Sequence, residues 1–309
     1  MGTCAWITHP DCLAHDNGDD HPECAGRIDA ISDHLISTGL MQLLLPRDAP
    51  LATDEQLARA HTMSYLRDLE ALSNAGQRTH LDPDTVFGPP TLAAAKRAAG
   101  AAVHATDLVL SGVAQRAFCA VRPPGHHAPR GAAMGFCIFN NVAVGIRHAL
   151  EAHGLERVAL ADFDAHHGNG SEEILAGDAR VLMVSTFERG IYPFVGETPL
   201  ASNMANVPLE RGSGRDALED AFEYVWKPRL EEFRPQLLVI SAGFDAHRAD
   251  EMSNLRWVEE DFAWITRRLV EVAARHGEGR IVSCLEGGYH PFHLARSVAA
   301  HVRELAGAA

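Results

Sequence analysis

The chain has 309 residues, 46 % of them hydrophobic, enough to bury the core of one large domain or two small ones. It holds no run of about 18 apolar residues, which argues against a membrane span. Its formal net charge of −14 argues against nucleic-acid binding. That charge suits a cationic partner, although solubility alone accounts for it.

The opening residues, Met1 to Trp6, contain no basic segment followed by an apolar one, so no secretory signal is read there. Trp6 also stands where a myristoylation pattern wants Ser or Thr. A cytoplasmic location is the resulting expectation. The six cysteines (Cys4, Cys12, Cys24, Cys119, Cys137, Cys284) form no CxxC pair. They read as reduced core residues, not as a disulfide frame or a zinc knuckle.

In chain order, the first ninety or so residues read as loop-rich, with many Pro, Gly and Asp. A helix is expected over 91–110 and an apolar strand over 117–121, followed by a helix over 141–153. Strands are expected over 158–163 and 181–186, then a second loop-rich stretch over 187–214. The remainder alternates: helix 216–233, strand 237–242, helix 258–276, strand 280–284, helix 291–305. The strands are continuous apolar runs, as when both faces of a sheet are covered. This alternation predicts one α/β domain over residues 1–309, an open central, mostly parallel sheet flanked by helices. The two loop-rich stretches are expected to build the rim of a site.

Four of the strands run into polar, glycine-rich segments. They are Arg122-Pro123-Pro124-Gly125-His126-His127, Asp162-Phe163-Asp164-Ala165-His166-His167-Gly168-Asn169, Gly243-Phe244-Asp245-Ala246-His247 and Glu286-Gly287-Gly288-Tyr289. Ligands of open α/β sheets bind beyond the carboxyl ends of the strands, so these segments point to one site. Asp164 and His166 are two apart and face the same way on extended backbone. Joined by Asp245 from another strand end, they make a three-ligand set for a divalent ion with open positions. A lone Asp-x-His more often caps a turn; the company of Asp245 and His126-His127 tips the balance. The two histidines follow a rigid Pro-Pro-Gly turn, and adjacent imidazoles beside a metal can divide acid and base work. Tyr289, after two glycines, can bring a phenol to a developing oxyanion. The isolated His9, His61, His80, His104, His148 and His301 read as structural.

Together these segments resemble the zinc-dependent histone deacetylases and acetylpolyamine amidohydrolases, with the arginase-like deacetylase fold. The likeness is nearest to class II enzymes and their bacterial relatives. His21-Pro22-Glu23 with Arg27, and Gly135-Phe136-Cys137 with Asn140-Asn141, fit the same pattern. The resemblance implies Asp164, His166 and Asp245 as zinc ligands. It implies His127 as the main general base and acid, and His126 as a helping imidazole. Asp162 would partner His126, Asn169 would partner His127, and Tyr289 would polarise the acetyl carbonyl. It also implies substrate-binding Gly135, Phe136, Tyr192 and Gly288, with Phe136 and Tyr192 flanking the substrate stem; Tyr192 stands where most members have Phe. Family members bind potassium near the zinc, here through Asp162, Asp164, His166, Ser185 and Thr186. Two carboxylates make a harder site than most zinc sites, so Fe²⁺ or Co²⁺ are also admitted.

The expected function is hydrolysis of an acetylated amine, either acetyl-lysine in proteins or peptides or an acetylpolyamine, leaning to acetyl-lysine. Asp82 or Asp84 could attract a cation at the rim. A dinuclear manganese ureohydrolase is a rival, but Gly168 stands where the second Asp of DxHxD belongs, and Asp245-Ala246-His247 lacks the second carboxylate of DxD. A non-catalytic acetate- or polyamine-binding protein is the other rival. A homo-oligomer is neither required nor excluded.

Overall fold

The computed structural model describes residues 3–308 and contains ten strands among them. They are β1 (Cys4–Thr8), β2 (Leu44–Asp48), β3 (Thr79–His80), β4 (Val86–Phe87), β5 (Arg116–Cys119), β6 (Val158–Asp162), β7 (Val181–Glu188), β8 (Met204–Leu209), β9 (Leu237–Ala242) and β10 (Ile281–Leu285). Eight of them form one sheet in the order β2-β1-β5-β10-β9-β6-β7-β8, and every pairing in it is parallel. The expected "mostly parallel" sheet is therefore wholly parallel, and only the small β3–β4 ladder is antiparallel.

Side chains alternate across this sheet as a two-residue period requires. In β6, Val158 and Leu160 enter one buried cluster while Ala159 and Ala161 enter the other. The first face is covered by the helices Thr91–Leu110 and Asn141–Glu151, the second by Gly26–Ser37, Glu259–His276 and Pro291–Ala306. The alanine-rich Thr91–Leu110 lies very close to its surroundings. A methyl group on Gly100 would fall 1.9 Å from the Pro50 carbonyl oxygen.

Several expectations need correction. The first ninety residues carry two sheet strands and the helices Gly26–Ser37 and Met63–Ala75, so they are not mainly loop. The stretch 187–214 contains β8. The single helix expected over 216–233 is interrupted by a π-helical turn, Phe222–Trp226, between Arg215–Ala221 and Lys227–Phe233. Pro228 has no N–H to offer the Tyr224 carbonyl, and the helix widens where that bond is missing. Of the six cysteines, Cys24 is exposed and the other five are buried free thiols. No helix among the described residues is long and apolar enough to cross a membrane.

Candidate active site

Because the strands are parallel, the segments after β5, β6, β9 and β10 leave the sheet on the same side. Asp164, His166 and Asp245 converge there, all buried, with ligand atoms within 4.8 Å of one another. His166 Nδ1 lies 3.1 Å from Asp164 Oδ1 and 2.9 Å from Asp245 Oδ2. The other carboxylate oxygens are held by backbone: Gly287 N–H donates to Asp164 Oδ2 at 2.8 Å, and Ala165 N–H to Asp245 Oδ1 at 2.9 Å. Burial and the Asp164 charge push the Asp245 carboxyl up to about 6. Burial raises Asp164 too, but His126 and His166 outweigh it and hold that carboxyl low.

Two buried carboxylates with no hydrogen-bonded Lys or Arg are costly without a cation. Two other clusters of ligand type lie elsewhere, Asp107–His148–His153 and His247–Glu259–His293. Each of these already has an arginine: Arg59 donates to His148 Nδ1 at 2.7 Å, and Arg296 to Glu259 at 2.6 Å. The donor set of the buried cluster, one imidazole and two carboxylates, fits a divalent ion with open positions.

The two imidazoles beside it have unlike partners. His126 Nδ1 meets Asp162 Oδ2 at 3.1 Å, and His127 Nδ1 meets Asn169 Oδ1 at 2.8 Å. Burial alone would lower the His126 pKa, but the Asp164 and Asp162 carboxylates raise it to about 10. For His127, burial is joined by repulsion from His126 and His166, which holds it well below its ordinary range. One ring is thus set to carry a proton and the other to stand neutral.

A cavity of about 130 Å³ opens beside this group. Its wall is made by Phe136, Gly135, Tyr192, Met252 and Tyr289, with Asp84 among its lining residues and His127 and His166 facing it. Phe136 has a left-handed backbone (φ 69°), strain of about 1–3 kcal/mol that its surroundings must hold. Asp82 Oδ2 accepts the Gly135 N–H at 3.0 Å and Thr85 Oγ1 accepts the Phe136 N–H at 2.9 Å, fixing that turn. Asp82 is thereby committed, and Asp84 is the carboxylate left facing the cavity.

Tyr289 stands across from Phe136, ring centroids 5.8 Å apart, with the Arg27 guanidinium 4.8 Å above its ring. Gly288 does not line the cavity: it packs on Leu294 and Phe244, and its carbonyl accepts from Arg27 Nε at 2.7 Å. Ser185 and Thr186 lie on β7, Ser185 paired with Asp162 in register, and both buried hydroxyls lack a hydrogen-bond partner.

Several residues that support the site have no role in the sequence reading. The Glu286 carboxylate accepts from the Gly125 and His126 N–H groups at 2.7 and 3.1 Å and from Ser241 Oγ at 3.1 Å, so it ties the histidine loop to β10. Asp250 Oδ2 accepts the N–H groups of Tyr289 and His290 at 2.6 and 3.1 Å. Glu23, Arg27 and Arg122, all fully buried, join three loops: Arg122 grips Glu23 with two nitrogens, and Arg27 reaches Glu23, Gly288 and Glu286. Glu23, Arg27, Arg122 and Glu286 all sit inside the motifs already quoted, and a charge beside a glycine turn was the available signal.

There is no room for the second carboxylate of a dinuclear site. A methyl group on Gly168, where the second Asp of DxHxD would stand, would lie 2.2 Å from Asp162 Oδ2. His247 turns away towards Glu259, 3.5 Å from it.

Sequence and structure comparisons agree with this geometry. Residues 21–305 match the histone deacetylase domain model. Those residues take in every element of the site, and the class is thereby defined: a deacetylase, a hydrolase of amide bonds. A histone deacetylase-like amidohydrolase of Pseudomonas aeruginosa is 38 % identical, the alignment covering 98 % of this chain and 80 % of that protein. The mouse polyamine deacetylase HDAC10 is 36 % identical over 99 % of this chain and 48 % of its own length. The crystal structure of the HDA15 HD domain superposes with a TM-score of 0.93 at 30 % identity, covering 99 % of this chain and 90 % of that one. The chain belongs to the histone deacetylase family.

Proposed function

We propose that the chain is a zinc-dependent deacetylase that acts as one domain on acetyl-lysine in proteins or peptides. The observation that carries this reading is the buried Asp164–His166–Asp245 set beside two imidazoles with unlike partners, bordering a narrow and mostly apolar cavity. Asp164, His166 and Asp245 would hold the zinc, or Fe²⁺ or Co²⁺ in its place. When bound, the ion supplies Lewis acidity to the acetyl carbonyl and to water. Potassium would be held by Asp162, Ser185 and Thr186, a role supported by the two unpartnered buried hydroxyls.

His127 has its Nδ1 occupied by Asn169, so its free Nε2 takes the proton of the attacking water and later gives it to the departing amine. His126 keeps its proton on account of Asp162 and offsets negative charge as it develops. Tyr289 donates its hydroxyl to the carbonyl oxygen, a contact that strengthens in the transition state. Phe136 and Tyr192 flank the apolar stem, which suits the methylenes of lysine.

A second substrate class has one observation in its favour. Asp84 borders the cavity, where it would meet the cationic tail of an acetylpolyamine, and the mouse relative is named a polyamine deacetylase. The test is a rate comparison of the purified chain on acetyl-lysine peptides against acetylated putrescine, cadaverine and spermidine. Higher kcat/KM on the peptides is expected. A preference for the polyamines reassigns the substrate, and no turnover of any of them overturns the reading.

A further inference from the structure

The hydroxyl of Tyr289 has to be brought to one point, and nothing in the residue itself does so. The two glycines before it leave the backbone loose, and Gly288 takes a conformation (φ 115°) that side-chain-bearing residues rarely adopt. The ring meets Phe136 edge-on and lies under the Arg27 guanidinium, contacts that fill space without fixing where the oxygen points.

The backbone is pinned from another loop, the one that follows the ligand Asp245. Asp250 on that loop is buried, and every hydrogen bond to its carboxylate among the described residues comes from a backbone N–H. Oδ2 takes those of Tyr289 and His290, at 2.6 and 3.1 Å. Oδ1 takes that of Met252, at 3.1 Å, and Met252 lines the cavity. One carboxylate thus ties the wall beside the substrate stem to the residue that donates to the carbonyl. A neutral amide could not do the same, because it has a single accepting oxygen and would turn its NH₂ on whichever N–H remained.

Resting on the deacetylase reading, we propose that Asp250 is a positioning residue for the reaction. By holding the Tyr289 backbone and the Met252 wall from one carboxylate, it sets the phenol at the depth where the acetyl carbonyl comes to rest. It touches neither the substrate nor the reacting atoms, and its effect on rate passes through the Tyr289 hydroxyl.

The test is a double-mutant cycle of Asp250→Asn and Tyr289→Phe on zinc-loaded protein, with an acetyl-lysine peptide as substrate. Misplacing a catalytic group by about 1 Å costs on the order of 10²-fold, so Asp250→Asn should lower kcat by roughly 10- to 100-fold and move KM by less than about threefold. With Tyr289→Phe already in place there is no hydroxyl to position, and the same change should then cost less than about threefold. Elemental analysis should find parental metal content in all four proteins. Equal losses with and without the hydroxyl, a loss of metal, or a loss under about threefold in the chain that keeps Tyr289 overturn the role while leaving the deacetylase reading standing. Should Asp250→Asn not fold, Asp250→Ser, which keeps one oxygen, goes through the same cycle; failure of both to fold assigns Asp250 to the architecture and overturns the positioning role. A parent chain inactive on acetylated peptides and polyamines alike overturns that reading and this role with it.

Discussion

Replacing Glu23 by Gln should be among the most damaging single changes that leave the shape of the molecule intact. Glu23 is the only carboxylate hydrogen-bonded to the fully buried guanidinium groups of Arg27 and Arg122 among the described residues. Its amide counterpart keeps the volume and removes the charge, leaving two buried cations facing each other. Breaking a buried pair in this way costs about 3–5 kcal/mol. A second route gives a similar size. Burial alone would raise the Glu23 pKa, but Arg122, His15 and Arg27 hold it at about 2, against an ordinary 4.5. At about 1.36 kcal/mol per pH unit, that displacement is worth roughly 3 kcal/mol. The sign follows from the lowered value: the contribution is full above pH 4.5 and is lost as pH falls towards 2. Urea unfolding of metal-free protein at pH 7 should therefore place Glu23→Gln about 3–5 kcal/mol below the parent. At pH 3.5 the gap should narrow by roughly 1.4 kcal/mol, because only the parent still has that carboxylate to protonate. A difference under about 1 kcal/mol at pH 7, or a gap that holds or widens on acidification, would refute the reasoning.

Tyr289→Phe should keep metal content and fold, since Asp250 holds the loop by its backbone, while lowering kcat by about 10²- to 10³-fold; unchanged kcat would place the phenol outside the chemistry. His127→Ala should cost more in kcat than His126→Ala at equal metal occupancy, and Asp162→Asn should weaken the His126 contribution and disturb the potassium site; the reverse order of the two histidines in full-occupancy assays would exchange their roles. Elemental analysis should find one tightly bound divalent ion per chain at Asp164, His166 and Asp245, its removal by chelator abolishing activity and Zn²⁺, Co²⁺ or Fe²⁺ restoring it; two equivalents of manganese would contradict the geometry at Gly168.

What the sequence made legible follows burial. β5, β6, β9 and β10 are inner strands, covered on both faces, and their apolar runs were readable at once. β2 and β8 are the two outer strands, and each carries a proline, Pro46 and Pro208, tolerated there because an outer strand leaves one row of N–H groups unpaired. Their short, proline-bearing sequences read as loop for that reason. In the site, Asp164 and His166 were legible because two residues of extended backbone bring them together. Asp250 and Met252 were not, since Asp250 acts on N–H groups some forty residues on and Met252 reaches the cavity only when the loops close.

The strand order has a consequence for how the molecule is made. β10, the last strand of the sheet in chain order, lies between β5 and β9 in its middle. Until Ile281–Leu285 leaves the ribosome, the growing chain holds two half-sheets, β2-β1-β5 and β9-β6-β7-β8, each with an open inner edge. Arg27 meanwhile waits for carbonyls of Glu286 and Gly288, about 260 residues further on. The imidazole loop waits with it, because the carboxylate that anchors its backbone is also residue 286. Assembly of the site thus waits for residues 281–288, and translation that stops short of residue 281 yields a product with two unpaired, apolar strand edges, an aggregating fragment instead of a weakly active one.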